Sequence, residues 1–378
     1  MKGASERIVL IDLLRGFSIL LVLVIHVFFG MATLGSLPFY EMQKFAPLWT
    51  AIALRGDYGV SIFFVLSGFL ITGILFKPQE NFSLIPLREF YVRRAGRILP
   101  LLALVCILGI VAQRLSRPTP FTRYCLSGPL LSTGFWLSLA TFTFNWYRIA
   151  QGHAQHSMGI HWGVLWSLSI EEQFYVAYPL ILIWLGSTRR TVIFLSLMMA
   201  SGLLWRWLAT LYRPEDYLLS ITASFGAFDQ IAAGCLLFFG YRWINLLEDT
   251  NTSLAKLFMV SGGIILSWAL VSTSLYQSRG RIWGPSLVAV GVSLFLLGGL
   301  RFKIPENRLT SALCFPGQLS YGIYLLHSMV LLVLLRWLPL SNPWEGFLLF
   351  VALNVGVAAL CFRFFEKPLN TLIRQKYT

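Results

Sequence analysis

The residues of this chain best equipped for chemistry lie inside or beside long apolar runs. Arg15 and His26 occupy the first run, DLLRGFSILLVLVIH, eleven positions apart. Eleven residues make about three helical turns, so the two side chains share one face, about 16 Å apart along the axis. A neutral imidazole near pH 7 is a ready general base. A guanidinium at the other end of that stripe can hold an anion or stabilise a developing oxyanion. Asp12, three residues before Arg15, offers the plainer alternative of an i,i+3 ion pair.

A second group is WSLSIEEQFY at 166–175. Ser167, Glu171 and Tyr175 recur every four residues and so share a helix face. The adjacent carboxylates of Glu171 and Glu172 cannot both face lipid, so at least one points into a bundle or a wet cavity. Ser169 followed by Glu172 also fits a helix capping box. A third group is Arg93, Arg94 and Arg97 in FYVRRAGRILP, whose spacing gathers three guanidiniums on one helix surface. Such a cluster serves either as a topology signal bound to anionic headgroups or as a phosphate site, since guanidinium forks grip phosphate in pairs of hydrogen bonds. Asp229 in AFDQIAAGCLL and His327 in LSYGIYLLH complete the set, as packing groups or as substrate contacts. His153, His156 and His161 have a spacing that could hold a metal on a helix, but no acidic ligand stands near them and no metal is expected.

These residues need elements to hold them. Of the 378 residues, 57% are hydrophobic and only 12% charged. That balance excludes a soluble globular protein, a disordered chain and a fibre, and points to an all-α polytopic membrane protein. The apolar runs are continuous rather than alternating, which argues against a transmembrane barrel. Spans of about 20 apolar residues are expected near 8–29, 58–76, 98–113, 166–185, 191–211, 226–244, 254–273, 284–300, 313–338 and 344–365. The first run is too long for the core of a cleaved leader and carries Asp12 and Arg15. Five scattered cysteines, without a CxxC pair, imply neither a disulfide framework nor structural zinc. With no internal repeat or linker, residues 1–378 read as one domain.

The net charge of +14 follows from 30 Lys and Arg against 16 Asp and Glu. With ten spans and both termini cytoplasmic, 18 basic residues face inside and 11 outside, Arg206 and Arg148 among the outer set, with Arg15 in the membrane. If the short, Ser- and Thr-rich stretch 129–147 also spanned, the tally would become 13 inside and 16 outside, against the positive-inside rule. Ten spans and a long outer segment from about 114 to 165 are therefore expected. Nucleic acid drops out as a partner, and membrane lipids take its place.

Several segments together resemble the membrane acyltransferase-3 family, bacterial integral-membrane O-acyltransferases of cell-surface carbohydrate. They are the Arg15-to-His26 segment, GVSIFFVLSGFLIT at 59–72, YVRRAGRILP at 91–100, WSLSIEEQFY at 166–175, LSYGIYLLH at 319–327 and FFEKP at 364–368. They follow the family's order over nearly the whole length. The resemblance is to members with the membrane domain alone. Members often carry Arg two residues before the sixth-span Asp, a place held here by Ala227, so a basic partner for Asp229 is not expected there.

The resemblance implies a multi-pass protein of the bacterial inner membrane. It would move an acyl group, acetyl first among the candidates, from cytoplasmic acyl-CoA to a carbohydrate hydroxyl. In that scheme Arg93, Arg94 and Arg97 hold the donor's phosphates and His26 is the general base. Glu171, with Glu172, orients His26, and Arg15 positions the thioester. Trp166, Ser167, Tyr175, Asp229 and His327 contact the acceptor. The competing class is a proton-coupled transporter or flippase, with Arg15, His26 and Glu171 as a relay. A reporter fused after Arg148 is expected to signal from the outer side, and a cytoplasmic signal there would defeat the ten-span topology.

Overall fold

Hydrocarbon offers a backbone no hydrogen-bond partner but itself, so apolar runs of this length must become helices. The computed structural model describes residues 8–33, 47–76, 85–117, 119–152, 159–246, 252–337 and 342–377. Among them every regular element is helical. The chain runs through α1 (Val9–Thr33), α2 (Pro47–Ala53), α3 (Tyr58–Leu75) and α4 (Leu87–Leu115). Four short helices follow: α5 (Pro120–Leu126), α6 (Thr133–Ala140), α7 (Phe144–Gln151) and α8 (Ile160–Gly163). Then come α9 (Leu165–Leu185), α10 (Thr188–Tyr212), α11 (Tyr217–Ile221), α12 (Ser224–Leu246), α13 (Thr252–Ser272) and α14 (Ser278–Gly299). Last are α15 (Arg308–Gln318), α16 (Ser320–Trp337), α17 (Pro343–Cys361), a π turn (Phe362–Glu366) and α18 (Lys367–Tyr377).

Nine helical stretches among the described residues are long and apolar enough to cross a membrane. The 21-residue α9 has the length to join them but carries Glu171 and Glu172. The chain is thus an all-α polytopic membrane protein. The stretch 129–147 does not span: α6 and α7 are eight residues each, against the roughly 20 that a crossing requires.

Two elements differ from expectation for physical reasons. α4 begins at Leu87, eleven residues before the expected span, and places Pro100 in its interior. Hydropathy finds only the part of a helix that lies in hydrocarbon, whereas the basic turns ahead of it are helical too. The expected span 313–338 is broken at Leu319, with Pro316 in the last turns of α15. The expected cap by Ser169 is absent, because α9 starts at Leu165 and the Ser169 hydroxyl donates to Leu165 O at 3.2 Å.

The core is built where α1 and α12 pack on α3, with α10 and α14 against α12. The α3–α12 crossing is backbone against backbone. A Cβ on Gly68 would stand 2.0 Å from Ile231 O, and one on Gly234 would stand 1.9 Å from Val65 O. Small residues at such seams let membrane helices gain packing energy that the hydrophobic effect does not supply in lipid. This seam fixes the face of α3 that carries Ser67 and Val60.

Arg206 departs most from the charge tally. It is 0% exposed and pairs through both terminal nitrogens with Asp229, at 2.9 and 2.8 Å. Ser286 donates to the same carboxylate at 2.8 Å, and Arg206 also donates to Ile282 O and Gly226 O. The basic partner missing at Ala227 is supplied by the neighbouring helix α10. Removing one member of a buried pair strands the other and costs about 3–5 kcal/mol. Arg206→Leu or Asp229→Leu is therefore expected to lower thermal stability in detergent sharply. The double variant is expected to lose less than the two single losses added together.

Candidate functional site

Two cavities flank the middle of α1. The larger, about 610 Å³, lies beside its N-terminal half. The smaller, about 340 Å³, lies beside its C-terminal half. Eleven residues of helix separate Arg15 from His26, and this spacing puts Arg15 in the wall of the larger cavity and His26 in that of the smaller.

The larger cavity gathers Arg15, Arg94, Arg97, Ser167, Glu171 and Tyr175. The four-residue period of α9 does bring Ser167, Glu171 and Tyr175 to one surface. Glu171 accepts from Ser67 Oγ at 2.8 Å, and Arg94 lies 3.4 Å over the Tyr175 ring, a cation–π contact. Arg94 also meets Glu172 at 3.4 Å, so Glu172 stands behind the wall as a counter-charge, 6% exposed. Arg15 and Arg97 are close enough to repel one another. Neither side chain has a hydrogen bond or an ion pair among the described residues, and Arg94 Nε is buried without a hydrogen-bond partner among them. Three guanidiniums thus converge on this cavity around the Glu171 carboxylate, which attracts all of them.

Arg93 is not part of that wall. Its side chain is 53% exposed and pairs with Glu89 one turn earlier. Successive helical residues point about 100° apart. Arg94 and Arg97, at i,i+3, can therefore share the cavity face, while Arg93 turns to the surface.

In the smaller cavity His26 Nδ1–H donates to Val22 O at 2.7 Å. A carbonyl only accepts, so the proton sits on Nδ1 and the Nε2 lone pair is left available for a substrate proton. The ring of His327 lies 4.6 Å from that of His26. His327 Nδ1–H donates to Tyr324 O at 2.6 Å, which leaves its buried Nε2 without a partner among the described residues.

The carboxylate that shares the cavity with His26 is Asp57, not Glu171. Asp57 occupies the N-cap position of α3 yet makes no capping bond. Its Oδ2 instead accepts from Tyr217 at 3.1 Å and from Tyr276 at 3.2 Å, and it interacts electrostatically with His26. Tyr217 and Tyr276 stack at 5.6 Å. Arg148 also lines this cavity and donates to Gly163 O at 2.9 Å. Burial pushes its guanidinium below the usual range, and nearby Asp57 opposes the shift. Trp166 completes the wall.

Sequence reasoning missed Asp57, Arg148, Tyr217 and Tyr276. Asp57 alone left a signal, as an acid at the very start of a span. Asp229, expected to contact substrate, sits instead in the ion pair with Arg206 and lines neither cavity. His153 and His156 lie outside the described residues. His161 has both ring nitrogens engaged, with Val105 O at 3.0 Å and Ser328 Oγ at 2.9 Å.

A family model described as an acyltransferase domain matches residues 8–363. The peptidoglycan O-acetyltransferase OatA of Listeria monocytogenes is 28% identical over 333 residues, 84% of this chain and 52% of that protein. The putative peptidoglycan O-acetyltransferase YrhL of Bacillus subtilis is 27% identical over 388 residues, 96% of this chain and 54% of that protein. A putative O-acetyltransferase of Staphylococcus aureus is 26% identical, over 83% of this chain and 52% of its own length. The chain thus spans about half the length of the curated relatives it matches, and no solved structure matches it. The match over nearly the whole length shows that the chain belongs to the membrane acyltransferase family defined by this domain.

Proposed function

We propose that the protein transfers an acetyl group from acyl-CoA, bound in the larger cavity, to a carbohydrate hydroxyl in the smaller one. The observation that carries this reading is the pairing of the two sites. One holds guanidiniums of which Arg15 and Arg97 make no hydrogen bond or ion pair among the described residues, and the other holds an imidazole whose Nε2 lone pair is available. Arg15 and Arg97, with Arg94 beside them, suit the phosphates of a CoA thioester. They sit at the N-terminal end of α1, the cytoplasmic side in the positive-inside topology. The O-acetyltransferase names of the relatives support the reaction, and the two named for peptidoglycan make an amino-sugar polymer of the cell surface the first acceptor to test. A bacterial inner membrane location follows from a cytoplasmic donor and a surface acceptor.

His26 acts as general base on the acceptor hydroxyl. Its cavity-mate Asp57, held by two tyrosine hydroxyls, stabilises the imidazolium that forms through space, while Val22 O holds the ring by Nδ1–H. The His327 ring packs against the imidazole and limits its rotation. Trp166 and the stacked Tyr217 and Tyr276 offer flat apolar faces beside hydroxyls and a carboxylate, a surface suited to a sugar ring. The transporter alternative loses support, because His26 and Glu171, two members of its relay, line different cavities.

The experiment is thiol release from acetyl-CoA by the protein in membrane vesicles that carry surface carbohydrate. His26→Ala is expected to lose about 10²–10⁴-fold in rate, the range of a general base, with unchanged membrane level. Asp57→Asn is expected to lower kcat with KM for acetyl-CoA held. An active His26→Ala variant would remove His26 as base. Arg97→Ala is expected to raise KM for acetyl-CoA about tenfold, the loss of one charge-assisted contact. Arg93→Ala is expected to change it by less than about twofold, as for a surface pair. Equal effects at the two positions would restore the three-arginine site.

A further inference from the structure

The two cavities share Val60 and Tyr324 and no other lining residue among those described. We propose that these two side chains form a partition of fixed gap through which only the acyl carbonyl and a short tail pass, so that the enzyme selects acetyl over longer acyl groups. The proposal rests on the reading of the larger cavity as the thioester site.

The gap is built to hold its size. The Tyr324 hydroxyl donates to Val164 O at 2.8 Å and accepts from Ser167 Oγ at 2.6 Å. The Tyr324 carbonyl accepts from His327 at 2.6 Å. The residue is therefore anchored at the tip of its ring and at its backbone, from α8–α9 on one side and α16 on the other. Val60 is β-branched and sits in a helix, where one χ1 rotamer dominates. It faces the gap from α3, whose position the Gly68–Gly234 seam sets by direct backbone contact. Phe63 and Phe64 continue the wall on the larger-cavity side, and Trp166 meets the Phe64 ring edge-on at 6.2 Å on the other. The approach to the partition is thus apolar, which suits a methyl group and not a free charge.

The chemistry places the tail at that point. The acceptor oxygen attacks the thioester carbonyl carbon, and its proton passes to His26 Nε2. The C–S bond breaks with its electron pair on sulfur, and the thiolate recovers the proton from the imidazolium to give the free thiol and the ester. For the carbonyl carbon to meet an oxygen held beside His26 while the phosphates stay near Arg15 and Arg97, the acyl tail, which leads the thioester away from the phosphates, must first pass between Val60 and Tyr324. Each added methylene then has to fit a gap that neither side chain can widen by rotation. A single methylene in a tight apolar pocket is worth roughly 10–200-fold in kcat/KM.

The test measures thiol release from acetyl-, propionyl- and hexanoyl-CoA in membrane vesicles from cells that express the full chain and carry its surface carbohydrate. The wild type is expected to favour acetyl over hexanoyl by about 100-fold or more in kcat/KM. Val60→Ala, and independently Tyr324→Phe, is expected to raise the hexanoyl-to-acetyl ratio about tenfold. Val60→Phe is expected to abolish transfer while acetyl-CoA still binds to the vesicles with wild-type Kd, a split that a misfolded protein would not give. Unchanged ratios in both widening variants, or full activity in Val60→Phe, would overturn the partition with the acyltransferase reading intact. A wild type that releases no thiol from any of the three donors would overturn that reading, and the partition with it.

Discussion

A charge carried into hydrocarbon must be answered there, by an opposite charge, by dipoles or by water, and this constraint sorts the arginines of the bundle. A lone one at the centre of a spanning helix costs on the order of 2.5–3.5 kcal/mol even by the lenient insertion scale. Arg206 is answered completely: two carboxylate oxygens, a hydroxyl and two backbone carbonyls surround it. It is part of the frame. Arg94 is half answered, by the Tyr175 face and a long contact to Glu172. Arg15 and Arg97 have a cavity before them and make no hydrogen bond or ion pair among the described residues, with Glu171 attracting both from the same cavity. The gradient from satisfied to unsatisfied separates structure from function more cleanly than burial does, since Asp229 is among the most deeply buried acids and binds nothing but its own scaffold.

The frame earns its rigidity from shape. Lipid tails are as apolar as leucine, so helices in a membrane hold together by close approach and by polar contacts across the seam. The Gly68–Gly234 crossing supplies the first. One residue away, Ser67 supplies the second by donating to Glu171 from α3 to α9. The site and the scaffold are therefore adjacent positions on the same helix. A shift at the seam would move Ser67, Val60 and Asp57 together, and with them the walls of both cavities.

Much of this was legible in the chain. Period and length gave the spans, because hydrocarbon leaves few alternatives to a helix. The period of 3.6 put Arg15 and His26 on one face, and the period of four put Ser167, Glu171 and Tyr175 on another. What the spacing could not convey was which faces meet. Arg93 and Arg94 are indistinguishable by type, yet the 100° between them sends one to Glu89 and the other to the cavity. Glu171 looked like a partner for His26 because both were intramembrane and ionisable, while the carboxylate in the same cavity, Asp57, stood at a helix end where acids are commonplace caps. Its tyrosine partners lie 160 and 219 residues away in sequence. The Arg206–Asp229 pair was hidden by the same limit, since Arg206 was counted among the outer charges when it is buried inside the bundle from the interior of α10. Contacts between segments distant in sequence belong to tertiary packing, which a local pattern does not encode.

That the two cavities share lining residues also has an electrical meaning. Water-filled recesses on both sides of a membrane protein bring the two bulk solutions close together, and the transmembrane voltage then falls almost entirely across whatever separates them. An elementary charge crossing 100 mV changes energy by about 2.3 kcal/mol. If Val60 and Tyr324 are that separator, as proposed, the steepest part of the field would lie beside the imidazole of His26. A proton reaching His26 from the outer recess travels through little of it, and a neutral acyl group feels none. On the proposed reaction a covalent group would thus cross without any ion crossing with it, and the membrane would stay insulated while the chemistry runs.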